Sequence, residues 1–356
     1  MILPESYTHE WIYSHRSKDG FEKINPPLVE KMIHALGLAE ALAGSGLDFI
    51  FKGGTSLILL LTSPGRFSID IDIVTQAGRN EVETVLKSIC NGKPFTDFKL
   101  NERRSYHAGI PKAHYSLFYG SALSGKEDHI LLDILFEENP YPSILEVFIE
   151  TPWLKTDDKK LGIRIPTSES ITGDKLTAFA PNTTGIPYQK GKELDIVKQL
   201  YDIGRLYHEI EDISIVIETF NRTVSKEIIY RNNKCNRDNV IQDIIDTALL
   251  IAKREANKVE PGVSNFKEIQ MGLLQFKAYQ MASFFRIDEA ITAAAKAALL
   301  AARIRSNKKG KIELFNSGIK KEECLIEDTE YNFLNKLPVE PLFYWNKIFK
   351  TLKEAE

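Results

Sequence analysis

Residues 51–74 read FKGGTSLILLLTSPGRFSIDIDIV, and this stretch governs how the rest of the chain is read. An apolar run meets a Gly53-Gly54-Thr55 turn, a short apolar segment follows, and Pro64-Gly65 returns the chain to a run in which Asp70 and Asp72 alternate with Ile69, Ile71 and Ile73. Residues two apart in a strand share a face, so both carboxylates fall on one side and the isoleucines face a core. Two like charges side by side on a half-buried strand repel unless a cation or base neutralises them. The same pair on an edge strand is merely solvated, so a divalent-cation site and a solvated edge are both open at this point.

A third carboxylate, Asp133, lies within HILLDILF at 129–136. Burying an ionised carboxylate there is costly unless it is paired or binds metal, and a lysine or arginine partner serves as well as a cation. Three carboxylates on adjacent strands match what a two-metal phosphoryl-transfer site requires. Gly53-Gly54-Thr55 ahead of a helix offers backbone N–H groups to a phosphate, although such turns also serve close backbone approach. Lys52 either touches that phosphate or ends an exposed strand. The chain has no GxxxxGK[ST] motif and so no P-loop.

Working outward, residues 1–47 read as helical, with Pro26-Pro27 opening the main helix and Gly44 and Gly46 closing it. Leu47 to Phe51 reads as a strand and Thr55 to Leu61 as a buried helix. Asn80 to Cys90 reads as a helix, followed by strand-like runs at Phe98–Tyr106, His114–Tyr119 and Ile130–Phe136, separated by Gly109-Ile110-Pro111 and Ser124-Gly125. Glu146–Glu150 and Leu161–Ile165 add short edge strands. From Ser168 the period becomes helical, with segments at Ser168–Phe179, Lys192–Glu209, Ile213–Tyr230, Arg237–Asn257, Asn265–Phe285 and Asp288–Arg305. The expectation is an α/β mixed-sheet domain over residues 1–210 and an all-α helical-bundle domain over 211–356.

At 356 residues the chain can bury two cores, and 43% hydrophobic with 27% charged residues is ordinary for a globular protein. No apolar run approaches the roughly 20 residues that span a bilayer, and the start lacks a signal-peptide pattern, so a cytoplasmic protein with no membrane partner is expected. Cys90, Cys235 and Cys324 have no paired spacing, which argues against a disulfide framework or zinc site. His107, His114 and His129 fall in the strand region and read as half-buried residues rather than catalysts.

The motif string resembles the GG(S/T) plus DxD signature of the DNA polymerase beta-like nucleotidyltransferase superfamily. FKGGTSL followed by RFSIDIDIV is similar to the AbiEii/AbiGii family, toxin components of bacterial type IV toxin-antitoxin and abortive-infection systems. The 14 residues between Thr55 and Asp70 make the gap slightly longer than the usual pattern. GDKLTAFAP supplies Lys175, and KELDIVKQLYDIGRL supplies Lys198 and Asp202, with Asp195 as a second acidic candidate. The resemblance covers roughly residues 47–207. It implies an enzyme that transfers a nucleoside monophosphate from an NTP to a hydroxyl, with Mg²⁺ or Mn²⁺ held by Asp70, Asp72 and Asp133. Lys52, Gly53, Gly54, Thr55, Lys175 and Lys198 would bind the nucleotide, and Asp202 would act as a helix-borne acid.

Taken without the resemblance, Lys175 reads as an exposed helix lysine, and Lys198 with Asp202 as a surface salt bridge. The resemblance further implies a tRNA or other RNA acceptor and a cognate DNA-binding antitoxin encoded nearby. Residues 221–239 carry Arg222, Lys226, Arg231, Lys234 and Arg237 against Glu227 and Asp238, and RIRSNKKGK at 303–311 carries five basic residues and no acid. These can hold an RNA backbone or be solvated helix ends. The alternatives are a same-fold enzyme acting on a small molecule or protein, and a non-catalytic NTP- or RNA-binding module.

Overall fold

The computed structural model describes residues 1–105, 110–231, 234–254, 262–281 and 284–354. Two compact units result, one of Met1–Thr167 with Ala278–Ser283 and the other of Ser168–Lys277 with Phe284–Glu356. Residue 210, the expected domain limit, falls inside the second unit.

In the first unit, strands β1 (Ile50–Lys52), β2 (Ile71–Thr75), β3 (Phe95–Leu100), β4 (Lys112–Gly120) and β5 (Glu127–Phe136) form a mixed sheet in the order β1-β2-β5-β4-β3. Only β2 and β5 run parallel; the other three pairings are antiparallel. Alternation explains their seating, because Ile71, Ile73 and Leu132 are wholly buried and Ile134 nearly so, while Asp72 and Asp133 are half-buried. Helices α1 (His9–Ser14), α2 (Pro26–Gly44), α3 (Gly53–Leu60) and α4 (Arg79–Cys90) complete the frame. Pro26 and Pro27 start α2, which needs no N–H in its first turn, and Val29, Met32, Ile33 and Leu36 on it enter the same core as the sheet.

Three local readings are corrected. The run to Tyr106 does not stay extended. Helix α5 (Glu102–Ser105) begins where the apolar alternation stops, and the Ser105 hydroxyl and N–H both return to the Asn101 carbonyl. Tyr106, His107 and Gly109 lie outside the described residues. The two late strands, β6 (Ile144–Phe148) and β7 (Gly162–Pro166), pair with each other in a separate two-stranded sheet rather than extending the main one. Residues 1–25 hold only α1 and short 3-10 turns rather than a continuous helical region.

The second unit comprises α6 (Ser168–Ala178), α7 (Glu193–Leu206), α8 (Ile213–Tyr230), α9 (Arg237–Lys253), α10 (Gly262–Phe276), α11 (Ile287–Arg305) and α12 (Val339–Lys353). Its centre is α11, an alanine- and leucine-rich helix buried at every position from Ala293 to Ile304, Lys296 and Arg303 included. The helix expected to reach Phe285 stops at Phe276. Tyr279 to Met281 belong to the first unit, where they lie against Gly65–Phe67: the Phe67 N–H donates to the Tyr279 carbonyl (2.7 Å), and the Met281 N–H to the Gly65 carbonyl (3.0 Å). Strand-like pairing thus outcompetes helix propagation there. The end predicted for the preceding helix, at Asn257, lies outside the described residues. Among the described residues no helix is long and apolar enough to cross a membrane.

Candidate active site

The Gly53-Gly54-Thr55 turn is built around the two aspartates. Gly53 has φ +78°, a conformation few side chains tolerate, and a Cβ there would overlap the Asp72 carboxylate. A Cβ at Gly54 would overlap the Arg66 guanidinium and the Ser68 hydroxyl. The buried Thr55 hydroxyl donates to the Asp70 carbonyl and meets the Ser68 hydroxyl at 2.9 Å. All three turn residues therefore touch the chain entering β2, which explains why the motif and the aspartates occur together.

Asp70 lies one residue before β2, and Asp72 lies within it. Asp72 is the register partner of Lys52 on β1 and of Asp133 on β5. Side-by-side strands lie about 4.8 Å apart, so the parallel register sets two carboxylates in adjacent rows. Lys52 precedes α3 and holds its Nζ 6.0 Å from the Tyr141 ring centroid. The first turn of α3 carries N–H groups without intrahelical acceptors, the usual seat for an anion.

Asp133 has a partner that the sequence did not disclose. His114 on β4 is its register partner, and His114 Nδ1 lies 2.6 Å from Asp133 Oδ1, with His114 itself only 9% exposed. An imidazole thus stands beside this carboxylate, and His114 is a satisfied residue, as read from the sequence, though buried rather than half-buried. Only the β4–β5 register reveals this pairing. His129 is exposed beside Asp128, 3.8 Å away.

These oxygen donors fit a hard divalent cation. Among the described residues no three His, Cys, Asp or Glu side chains converge into a ready-made cage. Magnesium does not require one, since it commonly takes one or two protein carboxylates and completes its octahedron with water and substrate phosphate.

In the second unit, Lys175 on α6 is buried, which removes the reading of a solvated helix lysine. Its Nζ lies 2.7 Å from Asp202 Oδ2 and 3.1 Å from Gln199 Oε1, both on α7. Asp202 is 2% exposed, so its pairing is a buried one rather than a surface salt bridge. Lys198 lies 3.5 Å from Asp195, one turn earlier.

The two basic stretches meet within this unit. Arg237 at the start of α9 donates to the Asn221 side chain and to the Ile304 carbonyl at the end of α11, each at 2.7 Å, and Arg305 donates to Gln242 at 2.9 Å. Arg303 is not part of an exposed basic face. It is 2% exposed and spends its guanidinium on the carbonyls of Lys308, Lys309, Gly310 and Lys311 and on Glu313. Asn232 and Asn233, inside the first stretch, lie outside the described residues.

The family described as nucleotidyl transferase AbiEii toxin, type IV TA system, matches residues 37–270. The chain belongs to this family. It is therefore a nucleotidyltransferase, and the family match spans the Gly53-Gly54-Thr55 turn, the three aspartates and the Lys175–Asp202 pair. No curated protein matches the sequence. Among solved structures, a Helicobacter pylori protein assigned as a nucleotidyltransferase has 16% identity and a TM-score of 0.45, covering 78% of this chain and 94% of its own. JHP933 from Helicobacter pylori has the same identity and TM-score, covering 84% of this chain and 94% of its own.

Proposed function

We propose that this AbiEii-family nucleotidyltransferase moves a nucleoside monophosphate from an NTP to a hydroxyl at an RNA end, a tRNA being the expected acceptor, as the toxin of a type IV toxin-antitoxin or abortive-infection pair. The observation that carries the reading is the register that sets Asp72 opposite Asp133, with Gly53 shaped to the Asp72 carboxylate.

A divalent cation, Mg²⁺ or Mn²⁺, supplies the positive charge that activates the acceptor hydroxyl and steadies the leaving pyrophosphate. Asp70, Asp72 and Asp133 are the carboxylates that would hold it, one or two of them with water and substrate phosphate completing its shell. His114 fixes the plane of Asp133, the carboxylate assigned to the acceptor hydroxyl. The N–H groups that open α3, with Lys52, receive phosphate oxygens. Lys175 neutralises triphosphate charge, Asp202 holds its ammonium in place, and Lys198 adds a second cation for the nucleotide.

Of the two stretches, Arg231, Lys234, Lys309 and Lys311 stay exposed and support an RNA acceptor, because phosphate contacts by lysine and arginine provide most of the sequence-independent affinity for nucleic acid. The family assignment also points to a cognate antitoxin as partner. Purified protein incubated with labelled NTPs, Mg²⁺ and total tRNA should transfer label to RNA, and Asp70→Ala should lose that transfer while keeping its fold. Unchanged transfer by Asp70→Ala would remove the carboxylates from the site. Label appearing on protein or a small molecule instead would reassign the acceptor.

A further inference from the structure

The first unit holds a cavity of about 850 Å³ that plays no part in the chemistry above. It is bounded by the N-terminal segment, α2 and the start of β3, and Gly120 at the end of β4 lines it. Gly120 is six residues along β4 from His114, about 20 Å at strand rise, so the cavity is remote from Asp133. Its volume falls in the range of small-molecule sites.

The walls are mostly apolar, from Ile2, Pro4, Ile89, Pro94 and Leu161. The informative member is His34, which is 2% exposed, stacks on Tyr119 with ring centroids 3.6 Å apart, and still lines the cavity. His34 Nδ1 lies 2.8 Å from the Glu30 carbonyl, which can only accept, so Nδ1 carries the proton. Burial holds the imidazole neutral by pulling its pKa down to about 4. Nε2 is therefore a bare lone pair, and among the described residues no donor meets it.

The Glu40 carboxylate, which accepts from the Ile2 N–H at 2.8 Å, lines the same space, as does Tyr7. Tyr7 stands edge-on to His34 with centroids 5.0 Å apart. The acceptors of His34 and Glu40 thus share the lining with Lys93, Thr96 and the Met1 amino terminus.

We infer that this cavity is a binding site for a small molecule that carries an N–H donor head, an amine, amidine or aminated heterocycle, on an apolar body. The donor head meets His34 Nε2 and the Glu40 carboxylate, and the body fills the space against Pro4, Ile89 and Pro94. This site is independent of the nucleotidyl-transfer reading.

Benzamidine, an amidinium on a phenyl ring, is the probe, titrated into the full chain labelled with ¹⁵N-histidine. The free protein should show His34 as the neutral Nδ1–H tautomer, and benzamidine should shift its Nε2 resonance saturably. Ala41→Phe, which fills the cavity from α2, should weaken binding by roughly tenfold or more, about 1.4 kcal/mol. Benzoate and toluene, which lack the donor head, should leave the resonance in place. An Nε2 signal that does not move with benzamidine overturns the site, and the wild-type measurement stands even if Ala41→Phe folds poorly. Equal shifts with benzoate or toluene overturn the donor-head assignment.

Discussion

Gly53 and His114 show how single residues constrain the candidate site. Gly53 is held by two independent demands, its positive φ and the absence of space for a Cβ beside Asp72. Gly53→Ala should therefore cost about 1–3 kcal/mol in urea denaturation and lower label transfer, because relief of the overlap displaces the carboxylate. An alanine variant with unchanged midpoint and unchanged transfer would mean that the turn does not position Asp72. His114 makes a different prediction, since it acts through Asp133. Outer-shell partners of ligating groups typically contribute 10–100-fold in metal affinity or activity. His114→Ala should weaken Mn²⁺ binding, followed by electron paramagnetic resonance, by about that factor, and His114→Asn, which retains an N–H donor, should recover part of it. Equal Mn²⁺ affinity in all three proteins would reduce His114 to a packing residue.

Among the elements, β2 and the turn before it were legible because a period-two alternation and a positive-φ glycine are local properties of the chain. The helices of the second unit as far as α11 were legible for the same reason, although α12 was not read, and α8 runs from Ile213 to Tyr230 as its periodicity required. Pairings set at long range were not legible. His114 meets Asp133 only through the β4–β5 register, β6 chooses β7 rather than the main sheet, and residues 279–281 leave a helical pattern to lie against 65–67. The Lys175–Asp202 pair joins α6 to α7, and sequence spacing alone could not distinguish it from solvated residues on two helices. Removing one member strands a buried charge, so Lys175→Met or Asp202→Leu alone should destabilise by about 3–5 kcal/mol. The double variant should regain much of that stability, since apolar replacement of a buried pair is often neutral. Under the proposed function it should still lack transfer activity. A fully active double variant would show that the pair serves the fold and not the phosphates.

Across the whole molecule, buried histidines make stability depend on pH. Burial and the nearby Lys18 ammonium pull His15 down to about 4, and burial does the same to His34. His208 in the second unit is also lowered, by burial and by Lys296. A histidine whose folded pKa lies below its unfolded value of about 6.5 binds fewer protons when folded, so its contribution is complete above pH 6.5 and is lost as pH falls toward 4. Between pH 6.5 and 5 this removes about 2 kcal/mol each for His15 and His34. Glu40 and Asp243 oppose the trend, because burial raises their pKa values and protonation relieves them as pH falls through the carboxylate range. The histidine loss begins at higher pH and should dominate down to about pH 5. Urea midpoints should therefore fall steadily from pH 7 to 5, and His34→Phe should flatten part of that slope. A midpoint constant over this window would mean that these imidazoles open to water and titrate in the folded chain as they do in the unfolded one.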